Sequence, residues 1–282
     1  MNWNERATEV AKYDHVYLSP HLDDAVLSCG GLIHQQVQTG QRVLVITLFA
    51  GVPDYTHLSP FASSLHAIWG QPADPISTRR AEDRAALEFL GCDHLHLDYL
   101  DCIYRVDEVG HFLYGSEEAI FGQIHPAEHS LMADLADKCR PLCSPAEGMI
   151  LFVPLAVGSH VDHQIVHQAA LLLGQSGCNL LFYEDYPYVE EADALSWPCQ
   201  GRVQQRDARW LADLKPINVE TKIEAVSRYV SQMGILFGSR EEMARRVRAY
   251  AASLTDGGGY AERLWCLEQL WQGCGQDSGV MV

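Results

Sequence analysis

Two short stretches of this chain concentrate groups able to do chemistry. SPHLDDAVLSCGG carries His21, Asp23 and Asp24, and GSHVDHQIVHQ carries His160, Asp162, His163 and His167. Imidazole nitrogen and carboxylate oxygen both suit zinc, and a catalytic zinc keeps one position open for water. His21 and Asp24, three apart on a tight turn entering a helix, can reach one ion. Asp23 then points elsewhere and is available as a general base. In the second stretch His160 and His163 are spaced i, i+3, and His163 and His167 i, i+4, so either pair can share a helical face. Each stretch also has a bland explanation, in which Asp23, Asp24 or Asp162 caps a helix and the histidines sit in solvated turns. Two clusters at the ends of two strands are much harder to attribute to accident. Together they offer a two-histidine, one-carboxylate site, a set that also serves Fe2+ in non-haem oxygenases, so ligand count alone does not choose the metal.

The elements that must position these groups alternate as βαβ units do around a parallel sheet. HVYLS (15–19) and VLVITLF (43–49) read as continuous, buried parallel strands, and HLHLDYL (94–100), GMILFVPLA (148–156) and NLLFYEDYP (179–187) as three more. Between the first two, Val26, Ile33 and Val37 fall at helical spacing, with Gly40 placed to end the helix. STRRAEDRAALEFLG predicts a second helix, with Ser77 as N-cap and Gly91 after its end. A further helix is expected over about 161–173, and others near 217–233 and 239–253. The Gly30-Gly31 pair signals close packing and matches no G-x-G-x-x-G nucleotide fingerprint. The Pro-, Ser- and His-rich loop 51–78 is long enough to be functional. The whole reads as a single α/β domain over 1–282, with 190–282 as a mostly helical portion. Both chemical clusters then sit at carboxyl ends of strands, where ligands gather in such folds.

The chain has 282 residues, 48% of them hydrophobic, and a formal net charge of -17. That charge argues against nucleic acid and against a polybasic membrane patch. Nine scattered cysteines without C-x-x-C spacing read as reduced, mostly buried thiols. With no secretory signal at the N-terminus and no span of about 20 apolar residues, a cytoplasmic enzyme is expected. Nothing here argues for or against a homo-oligomer.

SPHLDDAVLSCGG resembles the P-H-P-D-D-E signature of the LmbE-like (PIG-L) deacetylases, and GSHVDHQIVH resembles their H-P-D-H segment. The order of the motifs and RRAEDRAALEFLG between them fit as well. The resemblance implies a Rossmann-like fold, mostly parallel and flanked by helices, and removal of acetyl from an N-acetylglucosamine-type sugar conjugate with a divalent metal, usually Zn2+. It implies His21, Asp24 and His163 as metal ligands, Asp23 as general base, and His160 as the group assisting the oxyanion or the leaving amine. Arg79 and Glu82 fall at the family's R-x-x-E positions; Arg79 then contacts substrate, or the two form an exposed helix pair. Leu22 replaces a proline and Ala25 a glutamate. Gly158 stands where some relatives carry a tyrosine, a place that Tyr186, Tyr188 or the 51–78 loop could serve.

Asp162 is placed to orient His160 through a hydrogen bond, or to cap its helix. Asp101 is placed to meet a sugar hydroxyl or to close a turn. Tyr183, Glu184 and Asp185 read as site lining or as a strand exit, and Lys222, Tyr229 and Gln232 as a packed helix. The competing functions are an iron redox enzyme on the same ligands and a sugar-binding module without turnover.

Overall fold

The computed structural model describes residues 13–70, 73–142, 148–195 and 210–268. The N-terminal stretch read for a signal, and Cys143, Cys199 and Cys274, lie outside them. Five parallel strands form the heart of the sheet: β1 (His15–Ser19), β2 (Val43–Thr47), β3 (Asp93–His96), β4 (Ile150–Pro154) and β5 (Asn179–Tyr183). All residues of β1 and β2 are buried, as expected of parallel strands covered on both faces. β3 lies at the sheet edge and is only half buried. In the core between β1 and β4, Tyr17 stacks on Phe152 with ring centroids 4.2 Å apart.

The full order is β3-β2-β1-β4-β5-β7-β6, where β6 (Trp210–Pro216) and β7 (Ala261–Leu267) are antiparallel additions. Strand order therefore reverses between β1 and β4, and a crevice opens beyond their carboxyl ends. Two helices begin at that crevice: α1 (Asp24–Gln38) after β1, and, later in the chain, the helix Val161–Gln175 after β4.

Within the 51–78 segment lies a helix, α2 (Pro60–Ile68), which the sequence does not predict. Ser59 Oγ accepts from the Ala62 amide at 2.9 Å, and Pro60 occupies the first turn. The next helix, α3 (Pro75–Leu90), is capped by Asp74, not by Ser77: Asp74 Oδ1 accepts from the Ser77 amide at 3.1 Å. Gly91, at φ 81°, ends it as predicted. Three more helices on this side of the chain are α4 (Glu117–Ile120), α5 (His129–Cys139) and α6 (Val161–Gln175). The helix expected near 217–233 is broken into α7 (Val219–Val226) and α8 (Val230–Phe237), the one near 239–253 appears as α9 (Arg240–Ser253), and the strands β6 and β7, not expected in this portion, flank them in sequence.

The Gly30-Gly31 pair has a packing cause. A Cβ on Gly31 would lie 2.7 Å from Ile217 Cβ. The close approach lets Glu262 of β7 accept from the Gly31 and Leu32 amides at 3.0 and 2.8 Å, while Lys222 of α7 pairs with the same carboxylate at 2.9 Å. α1, which carries the first chemical cluster, is thereby fastened to the C-terminal part. Cys29, Cys92, Cys102, Cys139, Cys178 and Cys266 are buried. Among the described residues no helix is long and apolar enough to cross a membrane.

Candidate active site

The turn after β1 is fixed by Ser19, whose Oγ donates to the His21 carbonyl at 2.7 Å and accepts from the Ala25 amide at 3.0 Å. Asp23 occupies the N-cap position of α1 but makes no capping hydrogen bond. Asp24 Oδ2 accepts from the His21 amide at 2.8 Å. Neither carboxylate is spent on the helix, which removes the capping explanation for this stretch. At the start of α6 the cap is His160, whose Nδ1 accepts from the Asp162 amide at 3.3 Å. Its Nε2 is left facing the site.

The two stretches converge on one oxygen. Asp24 Oδ2 lies 3.2 Å from His21 Nδ1 and 3.2 Å from His163 Nε2. Two N/O ligands about 2.0–2.1 Å from a tetrahedral zinc stand roughly 3.3 Å apart, so these separations suit a shared cation. The opposite nitrogen of each ring donates to a carboxylate behind it, His21 Nε2 to Asp162 Oδ2 at 2.9 Å and His163 Nδ1 to Asp185 Oδ1 at 2.6 Å. Such backing fixes which nitrogen a ligand histidine presents. One nitrogen each of His21, His160 and His163 also lies within 4.8 Å of the others. His167 is not among them. Its Nδ1 donates to the Pro154 carbonyl at 2.9 Å, so the expected i, i+4 pair does not form.

Asp162 serves a different ring from the one predicted: its side chain holds His21, not His160. Oδ2 also accepts from the Cys102 amide at 3.0 Å, and Oδ1 accepts from Arg105 at 2.5 Å. Arg105 in turn pairs with Glu128 and lies over the Phe49 ring at 4.9 Å. Nothing in the local sequence marks Arg105. Asp185 is held by the Val157 amide, which donates to its Oδ2 at 2.8 Å. Asp101 closes the turn as expected, accepting from the Ile103 amide at 3.2 Å, and it also lines the cavity, with Oδ2 3.8 Å from His21 Nε2.

These carboxylates set the local field. Burial works to lower His163, but Asp24 and Asp185 outweigh it and push the ring up to about 10. His21 is raised likewise by Asp101, Asp162 and Asp24 against its burial. A field that favours positive charge on two rings favours a divalent cation between them. Burial, then the His21 and His163 rings, hold His160 well below the usual imidazole range, so it stays neutral. Burial also raises Asp23, opposed by Arg79, to about 6.

Arg79 donates to Asp23 Oδ2 at 3.4 Å, and its guanidinium lies over the Trp69 ring at 5.0 Å. It is buried, and its Nε has no hydrogen-bond partner among the described residues. The exposed Arg79–Glu82 pair does not form, because Glu82 instead accepts from the Ser231 amide and hydroxyl. His21, Asp23, Asp24, Arg79, Asp101 and His160 line a cavity of about 630 Å³, while His163, Asp162 and Asp185 are buried and do not line it. Its walls are apolar, with Phe61, Leu65, Ile68 and Trp69 on one side and Ile235 and Leu236 of α8 on another. Gly158, at φ +83°, has no room for a side chain, because a Cβ there would lie 2.8 Å from Tyr188 Cβ. Tyr188 fills that space and lines the cavity, its ring 6.1 Å from that of His163.

A Rossmann-like sheet with two imidazoles and paired carboxylates at its switch point defines an α/β protein equipped for metal-assisted hydrolysis. The chain belongs to the PIG-L (LmbE-like) family, whose model, described as GlcNAc-PI de-N-acetylase, matches residues 16–173. It is 27% identical over 254 residues to a 2'-N-acetylparomamine deacetylase of Niallia circulans, covering 86% of each chain. The zinc-inhibited form of a teicoplanin deacetylase superposes with a TM-score of 0.78 at 32% identity, covering 94% of this chain and 99% of that one. An A40926 pseudoaglycone deacetylase follows at TM-score 0.72 and 29% identity, covering 91% and 97%.

Proposed function

We propose that this chain is a metal-dependent N-deacetylase that releases acetate from an N-acetylated amino sugar carried on an apolar aglycone, with zinc as its metal. The observation that carries the reading is the convergence of His21 Nδ1 and His163 Nε2 on Asp24 Oδ2, with the unspent carboxylate of Asp23 beside them. His21, Asp24 and His163 would hold the cation. When bound, it supplies Lewis acidity toward the amide carbonyl and acidifies water.

Asp23 takes the proton of the attacking water. Its buried pairing with Arg79 aims the carboxylate and keeps part of its charge at neutral pH. His160 donates from Nε2 as a neutral imidazole, since its Nδ1 is occupied as an acceptor by the Asp162 amide. That N–H hydrogen-bonds the developing oxyanion, and the proton taken up by Asp23 is the one passed on to the departing amine. Tyr188 offers a phenol on the same wall, in the space left by Gly158. Arg79 and Asp101 face the sugar with donor and acceptor groups.

The apolar walls support the choice of aglycone. Ile68 and Ile235 stand at the cavity with 60% and 44% of their surface exposed, which gives an apolar group attached to the sugar a place to bury. The test is acetate release by the zinc-loaded protein from alkyl or aryl glycosides of N-acetylglucosamine and from an N-acetylated aminoglycoside. The reading expects kcat/KM at least about tenfold higher on the apolar conjugates, equivalent to about 1.4 kcal/mol. Equal or reversed rates would discard the aglycone assignment, and no acetate from any of them would discard the deacetylase.

A further inference from the structure

The loop that presents His160 is held in an unusual backbone shape. Ala156, Gly158 and Ser159 lie at φ 65°, 83° and 65°, so three of the four residues before the ring are left-handed. Glycine takes that region freely, whereas Ala156 and Ser159 stay there only where their surroundings enforce it. The Val157 amide is tied to Asp185 Oδ2 at 2.8 Å. At Ser159 the tie comes from Gln164, one turn into α6. Gln164 Nε2 donates to the Ser159 carbonyl at 2.5 Å and to the Gly122 carbonyl at 2.9 Å. Two carbonyl acceptors require the nitrogen end of the side-chain amide to face them. The Gln164 backbone amide donates to the His160 carbonyl at 3.0 Å, so one residue holds the peptide groups on both sides of His160.

The arm to Gly122 also brings Phe121 over the site. The Phe121 ring lines the cavity and stands edge-on to His160, with centroids 5.4 Å apart, and 5.7 Å from Tyr188. The cap of α6 does not aim His160 by itself, because the Asp162 amide reaches Nδ1 only at 3.3 Å, long for a hydrogen bond.

We propose that Gln164 is a positioning residue for the reaction. By bonding Ser159 and Gly122 together it keeps the left-handed turn closed, points His160 Nε2–H at the developing oxyanion, and holds Phe121 over the ring against water. Gln164 does not line the cavity and acts only through His160. The inference rests on the deacetylase reading for the reaction it serves, whereas the aim of the ring can be read without turnover.

The experiment is Gln164→Met, which keeps the length of the side chain and removes both donors, studied in the zinc-loaded whole protein. Loss of an oxyanion donor outright costs about 10²–10³ in kcat. A donor left in place but poorly aimed should cost at least about tenfold, with KM and metal content within about twofold of wild type. In a His160→Ala background the same substitution should lower kcat less than about twofold, because no ring remains to be aimed. An equal loss in both backgrounds, or a single variant within about twofold of wild type, would overturn the proposal. The 15N spectrum of the His160 imidazole, assigned by its disappearance in His160→Ala, gives the second readout. Wild type should show one neutral tautomer with the proton on Nε2, and Gln164→Met a mixture of both. An unchanged spectrum in the variant would overturn the role of Gln164 whether or not acetate is released. No acetate from the wild type on any conjugate would remove the deacetylase reading alone, and the spectrum would still decide for or against Gln164.

Discussion

Replacing Asp23 by asparagine isolates the proton acceptor from everything else in the site. The side chain is 7% exposed and bears on Arg79 at 3.4 Å. Asparagine has nearly the same shape and can still accept from the guanidinium, while Asp24 and both rings keep their contacts. What disappears is the ability to take a proton. A positioned general base is worth roughly 10²–10⁴ in rate, or about 3–5 kcal/mol of barrier. Asp23→Asn should therefore lower kcat by that factor while metal content per chain stays at the wild-type value. The pH profile gives a second readout. Burial raises Asp23 to about 6, and the carboxylate form that accepts the proton accumulates as pH rises through that value. Wild-type kcat/KM should thus climb on its acid side near pH 6, and the residual activity of the variant should lack that limb. Acetate release measured from pH 5 to 8 on both proteins decides the matter. A variant within tenfold of wild type, or one that keeps the same acid limb, would refute Asp23 as the base.

Three other outcomes follow from particular contacts. Asp185→Asn weakens the 2.6 Å backing of His163; zinc affinity should fall about 10–100-fold by competition with a chelator, with much of the turnover regained at saturating metal. Tyr188→Phe should cut kcat by roughly 10²-fold if the phenol meets developing charge, with zinc content unaltered. His167 is buried and lowered from 6.5 to about 4 by that burial. Its contribution is fully present above pH 6.5 and shrinks as pH falls toward 4, because the unfolded chain takes up the proton first. Urea unfolding should show up to about 3 kcal/mol of stability lost across that window, and a flatter acid slope in His167→Leu.

Strands β1 to β5, helices α1, α3 and α6 and both chemical clusters were legible because each is a local pattern. Continuous apolar runs, helical spacing and a glycine stop need only near neighbours to be read. What the sequence hides is decided at long range. Arg105 reaches Asp162 from 57 positions away, out of a segment with no motif. Asp185 is one acid in a strand exit until the fold sets it behind His163. Asp162 lies between His160 and His163, yet its side chain serves His21 across the crevice, since α6 turns it toward β1. β7 escapes because AERLWCL combines charge with apolar residues, and its Glu262 is tolerated only where Lys222 and two α1 amides meet it.

The most direct measurement is a crystal structure of the protein soaked with one equivalent of zinc, with the ion located by its anomalous scattering. The account predicts one peak about 2.0–2.2 Å from His21 Nδ1, His163 Nε2 and an Asp24 oxygen, with Asp162 and Asp185 still bonded to the far nitrogens. A peak bound through other side chains, or none while the Asp24 contacts stay unchanged, would contradict it.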